Sequence, residues 1–274
     1  MKTLIKKTII STFIFLLAIS APAFAKKGSD GIAVEHSTPG VYIFKMDTKK
    51  MGNKIKPHVA EKLTTTSDVY KNNENFSLVV NGGFFDILTG DAVSYVTING
   101  KTVETPFSNM KLIQNAGKTN RLEAILNRAE FRILEDKRGE LSFDIDNHFA
   151  PVQSGKTIKH SIQGGPFIYP EMNLEKESFI KKENNRITFQ AADVLKRRER
   201  TVLGLKSEIL YLIIFTNQNK VTVNEIKDFC KKMKLDKAMA LDGGASTSIN
   251  YKDIEIYSNT GLQRRVKSFL VVEK

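Results

Sequence analysis

The chain has 274 residues, of which 41% are hydrophobic, enough for a packed core. Its 17 glycines and 7 prolines are too few for a collagen-like or low-complexity chain, and β-branched and aromatic runs throughout exclude disorder over the whole length. The single cysteine excludes an intrachain disulfide framework and a cysteine-rich zinc site. With 42 basic and 30 acidic residues, the formal net charge is +12.

The first 25 residues predict a secretory signal peptide. Three lysines in residues 1–7 precede an almost wholly apolar stretch, residues 8–19, and Ala23-Phe24-Ala25 supplies small residues for cleavage after Ala25. The alternative is a membrane anchor, for which the apolar run is short. Removing these residues leaves 39 basic and 30 acidic residues, a net charge of +9.

These features predict a periplasmic or secreted protein with no stable membrane insertion after cleavage. A positive charge attracts anionic surfaces and polymers, although it can also serve solubility alone. Secretion, and the lack of a zinc-finger or RNA-binding signature in the sequence, argue against nucleic acid as the natural partner.

Residues 26–274 are predicted to form one domain. Val41–Met46 is an early strand, and the cluster Thr64–Asp68 provides oxygen side chains that begin a helix. Leu78–Val80 is a buried strand. Asn99-Gly100, between two apolar stretches, predicts a hairpin with a two-residue type I′ turn.

The middle of the domain is predicted to be β-structure and the region after it to be exposed. Residues 122–149 show apolar alternation. Residues 174–200 are charge-rich and are expected to form loops. Within them, Lys181-Lys182 and Lys196-Arg197-Arg198 are interpreted as solvated surface rather than as a site.

A strand–helix–strand unit follows. Ile209–Phe215 is a fully buried strand, and Thr222 with Glu225 forms a capping box at the start of a helix. Cys230 lies on that helix's apolar face, where a buried thiol is the simplest interpretation. Lys237–Leu241 and Phe269–Val272 complete the strands. The predicted class is α+β: a single domain with a mixed, largely antiparallel sheet core flanked by a few helices.

Three segments share one construction, in which an apolar strand ends in a polar residue followed by two glycines. They are Asn81-Gly82-Gly83, Gln163-Gly164-Gly165 and Asp242-Gly243-Gly244. Glycine pairs allow a tight turn and leave backbone N–H groups unshielded, and successive N–H groups can form a nest for an anion. The alternative is three ordinary turns. The repetition favours one shared site.

Asp242 is the best catalytic candidate, because it opens a glycine turn at the end of a buried strand; a turn or helix-cap role is the alternative. Ser246 lacks the context of a nucleophile elbow, so a hydrogen-bonding role is preferred. The four histidines lack metal-ligand spacing. Arg200 and Arg264 precede strands and could clamp a phosphate, or could be plain surface charge.

These motifs occur in a set order along residues 32–274. The matching stretches are Thr66-Ser67-Asp68, Asn81-Gly82-Gly83-Phe84-Phe85, Asn99-Gly100, Gly164-Gly165-Pro166, Arg200-Thr201, the capped helix, Leu241-Asp242-Gly243-Gly244 with Ser246, and Arg264 with Val266. In order and spacing the chain resembles the phosphodiester glycosidase family. It departs from the family at Ala245, where a third glycine is usual, and in a long basic insert between Gly165 and Arg200.

The resemblance implies a secreted hydrolase that cleaves a sugar-1-phosphodiester, of the N-acetylglucosamine-1-phosphodiester kind, in a bacterial envelope or an extracellular glycan. Bacterial members are often described only as exopolysaccharide-related. The substrate would be an anionic or phosphorylated glycan. No cofactor is expected, and the histidine spacing does not support a metal site. Asp242 would act as base or nucleophile, Arg200 would stabilise the phosphate, and Asn81 would hold the sugar or the phosphate.

The remaining predicted site residues would bind substrate. They are Gly82, Gly83, Phe85, Asp86, Gln163, Gly164, Gly165, Thr201, Gly243, Gly244, Ser246, Thr247 and Arg264. Two other functions remain open on the sequence. One is a non-catalytic exopolysaccharide binding or assembly protein that uses the same cleft. The other is a metal-assisted phosphodiesterase, in which Asp86, Asp91 and Asp242 would gather in space.

Overall fold

The computed structural model describes residues 26–27, 30–191, 193–258 and 262–274. The predicted signal peptide lies outside the described residues. The strands are β1 (Lys26–Lys27), β2 (Ile32–Thr38), β3 (Val41–Asp47), β4 (Ile55–Thr64), β5 (Phe76–Asn81), β6 (Val96–Ile98), β7 (Lys101–Glu104), β8 (Ala129–Asp136), β9 (Leu141–Asn147), β10 (Lys156–Gln163), β11 (Phe167–Tyr169), β12 (Ile180–Glu183), β13 (Arg186–Gln190), β14 (Arg200–Lys206), β15 (Ile209–Phe215), β16 (Lys237–Ala240), β17 (Ser248–Tyr251), β18 (Ile254–Tyr257) and β19 (Val266–Glu273).

The helices are α1 (Thr48–Met51), α2 (Thr66–Asn72), α3 (Met110–Gly117), α4 (Leu122–Leu126) and α5 (Val223–Met233). Among the residues that the structure describes, none of these helices is long and apolar enough to cross a membrane.

Three large sheets surround one core. The first has the order β1-β2-β3-β15-β14-β16-β11, the second β7-β6-β10-β8-β9 and the third β18-β17-β5-β19-β4; β12 and β13 form a separate hairpin. Neighbouring strands run antiparallel in every sheet. The predicted α+β class, with a largely antiparallel core, is confirmed.

The main core contains side chains from all three sheets, among them Phe44, Leu78, Phe131 and Leu212. A second cluster lies between the first sheet and α5, and it also includes Phe179 from the charge-rich region. A third cluster covers the outer face of the third sheet, beneath α2. Strand β5 is buried along its whole length because its alternating side chains face the main core and the third cluster.

Local sequence signals specify several elements directly. Asn99 and Gly100 adopt φ angles of 50° and 72°, and they join β6 to β7 as predicted. The capping box of Thr222 and Glu225 is present at the start of α5. Cys230 is buried, and burial raises the pKa of its thiol to about 12.

Two predictions differ from the structure. The start of the 122–149 region is helix α4 rather than a strand. Leu122, Ile125 and Leu126 are spaced three and four residues apart, which also places them on one face of a helix. The 174–200 region is also not simply exposed. Phe179 is buried, and the segment carries the β12–β13 hairpin. The many charged residues of this segment masked the pattern of buried apolar residues, such as Phe179, in the sequence.

Candidate active site

The three glycine segments meet in space where β5, β10 and β16 end. The Asp242 N–H donates to the Gly82 carbonyl at 3.0 Å, and the Gly165 N–H donates to the Ala240 carbonyl at 2.7 Å. A Cβ on Gly83 would lie 2.3 Å from the Gln163 carbonyl oxygen. The repeated glycines therefore let three strand ends approach one another closely.

The glycine N–H groups do not form a nest for an anion, so that part of the prediction is wrong. The N–H groups of Gly82 and Gly83 donate to Ser268, that of Gly164 donates to the Ala129 carbonyl, and that of Gly244 donates to the Glu199 carbonyl. The Gly243 N–H donates to the Asp242 carboxylate at 2.9 Å. Backbone groups at a buried junction satisfy one another first, because unpaired ones would cost free energy.

Gly83→Ala is expected to destabilise the protein by about 3 kcal/mol or more, because the added methyl overlaps the backbone of β10 and cannot be relieved by a side-chain rotation. The matched control is Gly117→Ala at the end of α3, where a Cβ meets open space. We expect that control to change stability by less than about 1 kcal/mol. Urea unfolding followed by circular dichroism measures both. Equal effects would contradict the close-approach explanation.

Asn81 is completely buried and holds the junction together. Its amide nitrogen donates to the Asp242 carbonyl at 2.7 Å, and its oxygen accepts from the Thr201 hydroxyl at 2.7 Å and from the Ser248 N–H at 3.1 Å. All of these partners belong to the protein. Asn81 therefore lies behind Asp242, with its side chain hydrogen-bonded within the protein.

Asn81→Ala is expected to lower the free energy of unfolding by about 2–4 kcal/mol, because it leaves a buried hydroxyl, an N–H and a carbonyl without their partner. Asn75→Ala is the control, since Asn75 is exposed beside the same strand. Urea denaturation at neutral pH compares the two variants. If the free energy of unfolding falls by less than about 1 kcal/mol in Asn81→Ala, water replaces the hydrogen bonds of the Asn81 side chain.

A cavity of about 850 Å³ opens beside this junction. Its lining includes eight of the predicted site residues: Phe85, Gly165, Arg200, Asp242, Gly243, Gly244, Ser246 and Arg264. The other predicted site residues lie outside the lining: Asn81, Gly82, Gly83, Asp86, Gln163, Gly164, Thr201 and Thr247. The structure thus separates residues that line the cavity from residues that shape its wall.

The residues outside the lining have other partners. Gln163 is buried, and its side chain bonds the Tyr95 N–H and the Leu126 carbonyl. Asp86 accepts from the N–H groups of Leu88 and Thr89, which organises an exposed turn. Thr247 is completely buried, with a hydroxyl that has no hydrogen-bond partner among the described residues. These side chains do not reach the cavity.

Three acids line the cavity, and Asp242 is the one of them that forms no ion pair among the described residues, whereas Asp193 and Glu199 are paired with basic side chains. Burial raises the pKa of the Asp242 carboxyl group to about 6, against the opposing effects of hydrogen bonds from Ser246 and Gly243 and of the charges of Arg264 and Arg200. A carboxyl group with a pKa near neutrality can both accept and release a proton.

The turn after Asp242 contains Gly244, whose φ angle of 58° is a left-handed conformation in open space. Ala245 does not need a positive φ angle, so the alanine in place of the family's usual glycine is unstrained.

Arg200 is 7% exposed and is held rigidly against the cavity. Its Nη2 donates to the carbonyls of Asp193, Val194 and Lys196 at 2.8–3.2 Å. Burial lowers the pKa of its guanidinium to about 10, so it remains charged at neutral pH. The opposite nitrogen, Nη1, lies beside Gly243. Arg200 is therefore a fixed cation next to Asp242.

The other charges of the lining divide into paired and unpaired groups. Arg198 bonds Asp193 through Nε at 3.2 Å, and Lys220 Nζ lies 3.4 Å from Glu199. Arg264 is half-buried and forms no ion pair among the described residues. The charges of Arg200 and Arg264 both act on Asp242, and Asp193 and Glu199 also lie near enough to Arg200 to raise the pKa of its guanidinium against the effect of burial.

One wall of the cavity comes from the charge-rich region that we interpreted as solvated loops. Phe179, Gln190, Asp193 and Arg198 all line it. The buried Glu177 supports this wall, because its carboxylate accepts from the N–H groups of Ala129 and Phe167 at 2.9 and 2.7 Å. Burial raises the pKa of Glu177. The sequence did not predict the burial of Glu177, because an acid among lysines is typical of an exposed segment.

The acids expected for a metal-assisted phosphodiesterase, Asp86, Asp91 and Asp242, do not gather at one site, because Asp86 does not line the cavity that contains Asp242. Within the described ranges, no three histidine, cysteine or acidic side chains come together as a metal-binding group.

Comparisons with known proteins extend this description. Three solved structures share the fold: a hypothetical protein from Synechocystis (TM-score 0.60, 13% identity, 89% of this chain and 62% of that one), the zebrafish N-acetylglucosamine-1-phosphodiester alpha-N-acetylglucosaminidase catalytic domain auto-inhibited by its pro-peptide (0.59, 15%, 89% and 77%), and a Burkholderia pseudomallei protein (0.54, 10%, 85% and 73%). This chain thus spans less than two thirds of the Synechocystis protein.

No curated protein matches the sequence significantly. The sequence model of the phosphodiester glycosidase family matches residues 74–273, which include every residue of the cavity described above. At such low identities the solved structures show a shared fold, and the family match adds the relationship in sequence. The chain therefore belongs to the phosphodiester glycosidase family, a family of glycosidase-type hydrolases.

Proposed function

We propose that this protein is a secreted glycosidase that hydrolyses a sugar-1-phosphodiester, of the N-acetylglucosamine-1-phosphodiester kind, within an anionic or phosphorylated glycan. The observation that carries the proposal is the carboxyl group of Asp242, the one acid of the cavity lining that forms no ion pair among the described residues, beside the guanidinium groups of Arg200 and Arg264. The predicted signal peptide and the basic composition support action on an anionic polymer in the cell envelope or outside the cell.

The charge arrangement matches what this reaction requires. A glycosidase acting on an ordinary glycoside needs two carboxyl groups, one of which protonates the leaving oxygen. A phosphate monoester leaves as an anion and needs little protonation. It needs positive charge at the departing oxygens, which the planar guanidinium groups of Arg200 and Arg264 can supply.

Asp242 then serves the other side of the reaction, as base or as nucleophile. As a base, it accepts a proton from water while the water oxygen bonds to C1 of the sugar. The C1–O bond to phosphate breaks, and the products are free sugar and a phosphate monoester. Asn81 holds the Asp242 carbonyl from behind, so its contribution is to position the acid.

Product identification tests the proposal. The chain from Lys26 onward is incubated with UDP-N-acetylglucosamine or a chromogenic N-acetylglucosamine-1-phosphodiester, and the products are identified by mass. Free N-acetylglucosamine with an intact phosphate monoester is expected. Sugar-1-phosphate would place the cleavage at phosphorus and overturn the proposal. Binding of anionic glycans without turnover would favour an exopolysaccharide binding or assembly protein instead.

A further inference from the structure

The segment that brings Arg264 to the cavity is attached to the start of α2. Gln263, the residue before it, is half-buried, and its side-chain oxygen accepts from the Ser67 N–H at 3.2 Å. Its side-chain nitrogen donates to the Thr66 hydroxyl. The N–H groups in the first turn of a helix have no partner within the helix, so an oxygen from another segment can bind there. Gln263 thus attaches this segment to α2 through two hydrogen bonds.

The two residues that Gln263 contacts are themselves fixed. Thr66 is completely buried and Ser67 is 8% exposed. The Ser67 hydroxyl donates to the carboxylate of Glu255 in β18, and Asn250 Nδ2 in β17 donates to Ser67 Oγ at 3.2 Å. The start of α2 is therefore tied to two neighbouring strands and forms a rigid support.

Side chains alternate between two sides along this segment. Gln263 bonds the start of α2, whereas Arg264 lines the cavity, where its charge opposes the effect of burial on the pKa of Asp242. The backbone then enters β19, in which Val266 pairs with Thr64. Successive side chains of an extended backbone point to opposite sides. Holding Gln263 on one side therefore directs Arg264 to the other side, toward Asp242.

Arg265 contributes less to this attachment. The hydrogen bond from the Thr65 hydroxyl is the main cause of the lowered pKa of Asp68, and the Arg265 charge is a weaker one. Asp68 and Arg265 are both exposed, and the attraction between exposed charges is weak. The hydrogen bonds of Gln263 are therefore the stronger attachment.

We propose that Gln263 is a positioning residue for Arg264, which it holds beside Asp242 by hydrogen-bonding the start of α2. Arg264 forms no ion pair among the described residues, so its direction depends on its own backbone. The effect on catalysis rests on the proposed function, in which Arg264 meets the departing phosphate. The proposal also gives a role to the Thr66-Ser67-Asp68 motif, of which no residue lines the cavity.

A double-mutant cycle in the chain from Lys26 onward tests the proposal. Gln263→Met keeps the length and the neutral charge of the side chain and removes both hydrogen bonds. We expect it to lower kcat/KM for UDP-N-acetylglucosamine by about ten- to hundredfold, because a small misplacement of an active-site group is costly. In the Arg264→Ala background, the same substitution is expected to change kcat/KM by less than about twofold. Equal losses in both backgrounds would overturn the proposal.

The pKa of Asp242, measured by NMR titration of its carboxyl carbon, is a readout that does not need turnover. Arg264→Ala is expected to raise this pKa, because the Arg264 charge lowers it. Gln263→Met is expected to raise it as well, and to leave it unchanged in the Arg264→Ala background. Arg200, Ser246 and the Gly243 N–H, which also act on Asp242, are the same in every variant. A purely structural role of Gln263 would lower Tm without moving the pKa.

Leu262→Ala is the matched control, because Leu262 lies on the same segment, is 80% exposed and does not line the cavity. It is expected to keep kcat/KM within about twofold and the pKa of Asp242 unchanged. Thermal melting shows whether each variant is folded. An unchanged pKa in Gln263→Met, or equal effects in Leu262→Ala, would overturn the proposal. No turnover by the parent chain, together with the expected titrations, would overturn the proposed function and still support the position assigned to Gln263.

Discussion

Replacing Asp242 with asparagine is expected to lower kcat for hydrolysis of a sugar-1-phosphodiester by about 10²–10⁴-fold, the range lost when a group that moves a proton is removed. The amide keeps the size of the side chain and can still accept from the Gly243 N–H, but it can neither take a proton from water nor attack carbon. Steady-state kinetics on a chromogenic substrate measures the effect. Full activity in Asp242→Asn would contradict the role assigned to this residue.

The pH dependence separates the possible roles of Asp242. Its pKa is raised to about 6, so the carboxylate form becomes the majority as the pH rises through 6. A base or nucleophile acts as the carboxylate, and kcat/KM is therefore expected to increase with pH through this region. A rate that falls instead would assign Asp242 as the acid. The Asp242→Asn residual activity is expected to lack this transition.

A stability measurement tests whether Asp242→Asn loses activity because it fails to fold. Because the folded-state pKa lies above the ordinary value of 3.8, this carboxyl group contributes stability that is fully present below that value and is lost as the pH rises through about 6. Asparagine stays neutral, so the Tm of Asp242→Asn at pH 8 is expected to equal or exceed that of the parent chain. Asp228→Asn, on the exposed side of α5, is the control for activity.

Replacing Arg264 with alanine is expected to lower kcat/KM by about 10²–10³-fold, the size of effect seen when one preorganised group that stabilises developing charge is removed. The structure makes this variant informative, because Arg264 lines the cavity without an ion pair among the described residues. Its removal therefore breaks no ion pair, and it takes away one of the two guanidinium charges that oppose the rise in the pKa of Asp242. Steady-state kinetics on the same phosphodiester substrate measures the change.

Arg265 provides the control for Arg264. It is the next residue along the chain, it is exposed, and it does not line the cavity. Arg265→Ala is expected to keep kcat/KM within about twofold at moderate salt, since only a screened surface charge is lost. Arg264→Lys is expected to recover part of the loss, because it restores the charge without the planar fork. Equal losses in the two alanine variants would indicate general electrostatic attraction instead of a phosphate contact.

Arg200 is less suitable for this comparison. Its guanidinium donates to three backbone carbonyls between residues 193 and 196, so removing it would also release a wall of the cavity. A loss of activity in Arg200→Ala would mix a lost phosphate contact with a displaced loop.

Local patterns in the sequence were sufficient for much of the fold. The Asn99-Gly100 hairpin depends on two positive φ angles, and the start of α5 depends on one capping box, so both are encoded within a few residues. The repeated glycines after strands identified the junction, and Asp242 within it, because close backbone approach requires glycine wherever it occurs. The family relationship likewise follows from motifs in their order along the chain.

Only the tertiary structure decided what each residue at the junction does. Asn81 and Asp242 occupy equivalent positions before glycine pairs. The Asn81 side chain forms three hydrogen bonds within the protein, whereas Asp242 lines the cavity. The N–H groups of the glycines were assigned to an anion in the sequence and bond to the protein in the structure. The sequence predicts exposed loops for the charged segment around Asp193, and in the structure this segment forms a wall of the cavity. Burial and pairing depend on which distant segments meet, and a single sequence does not contain those distances.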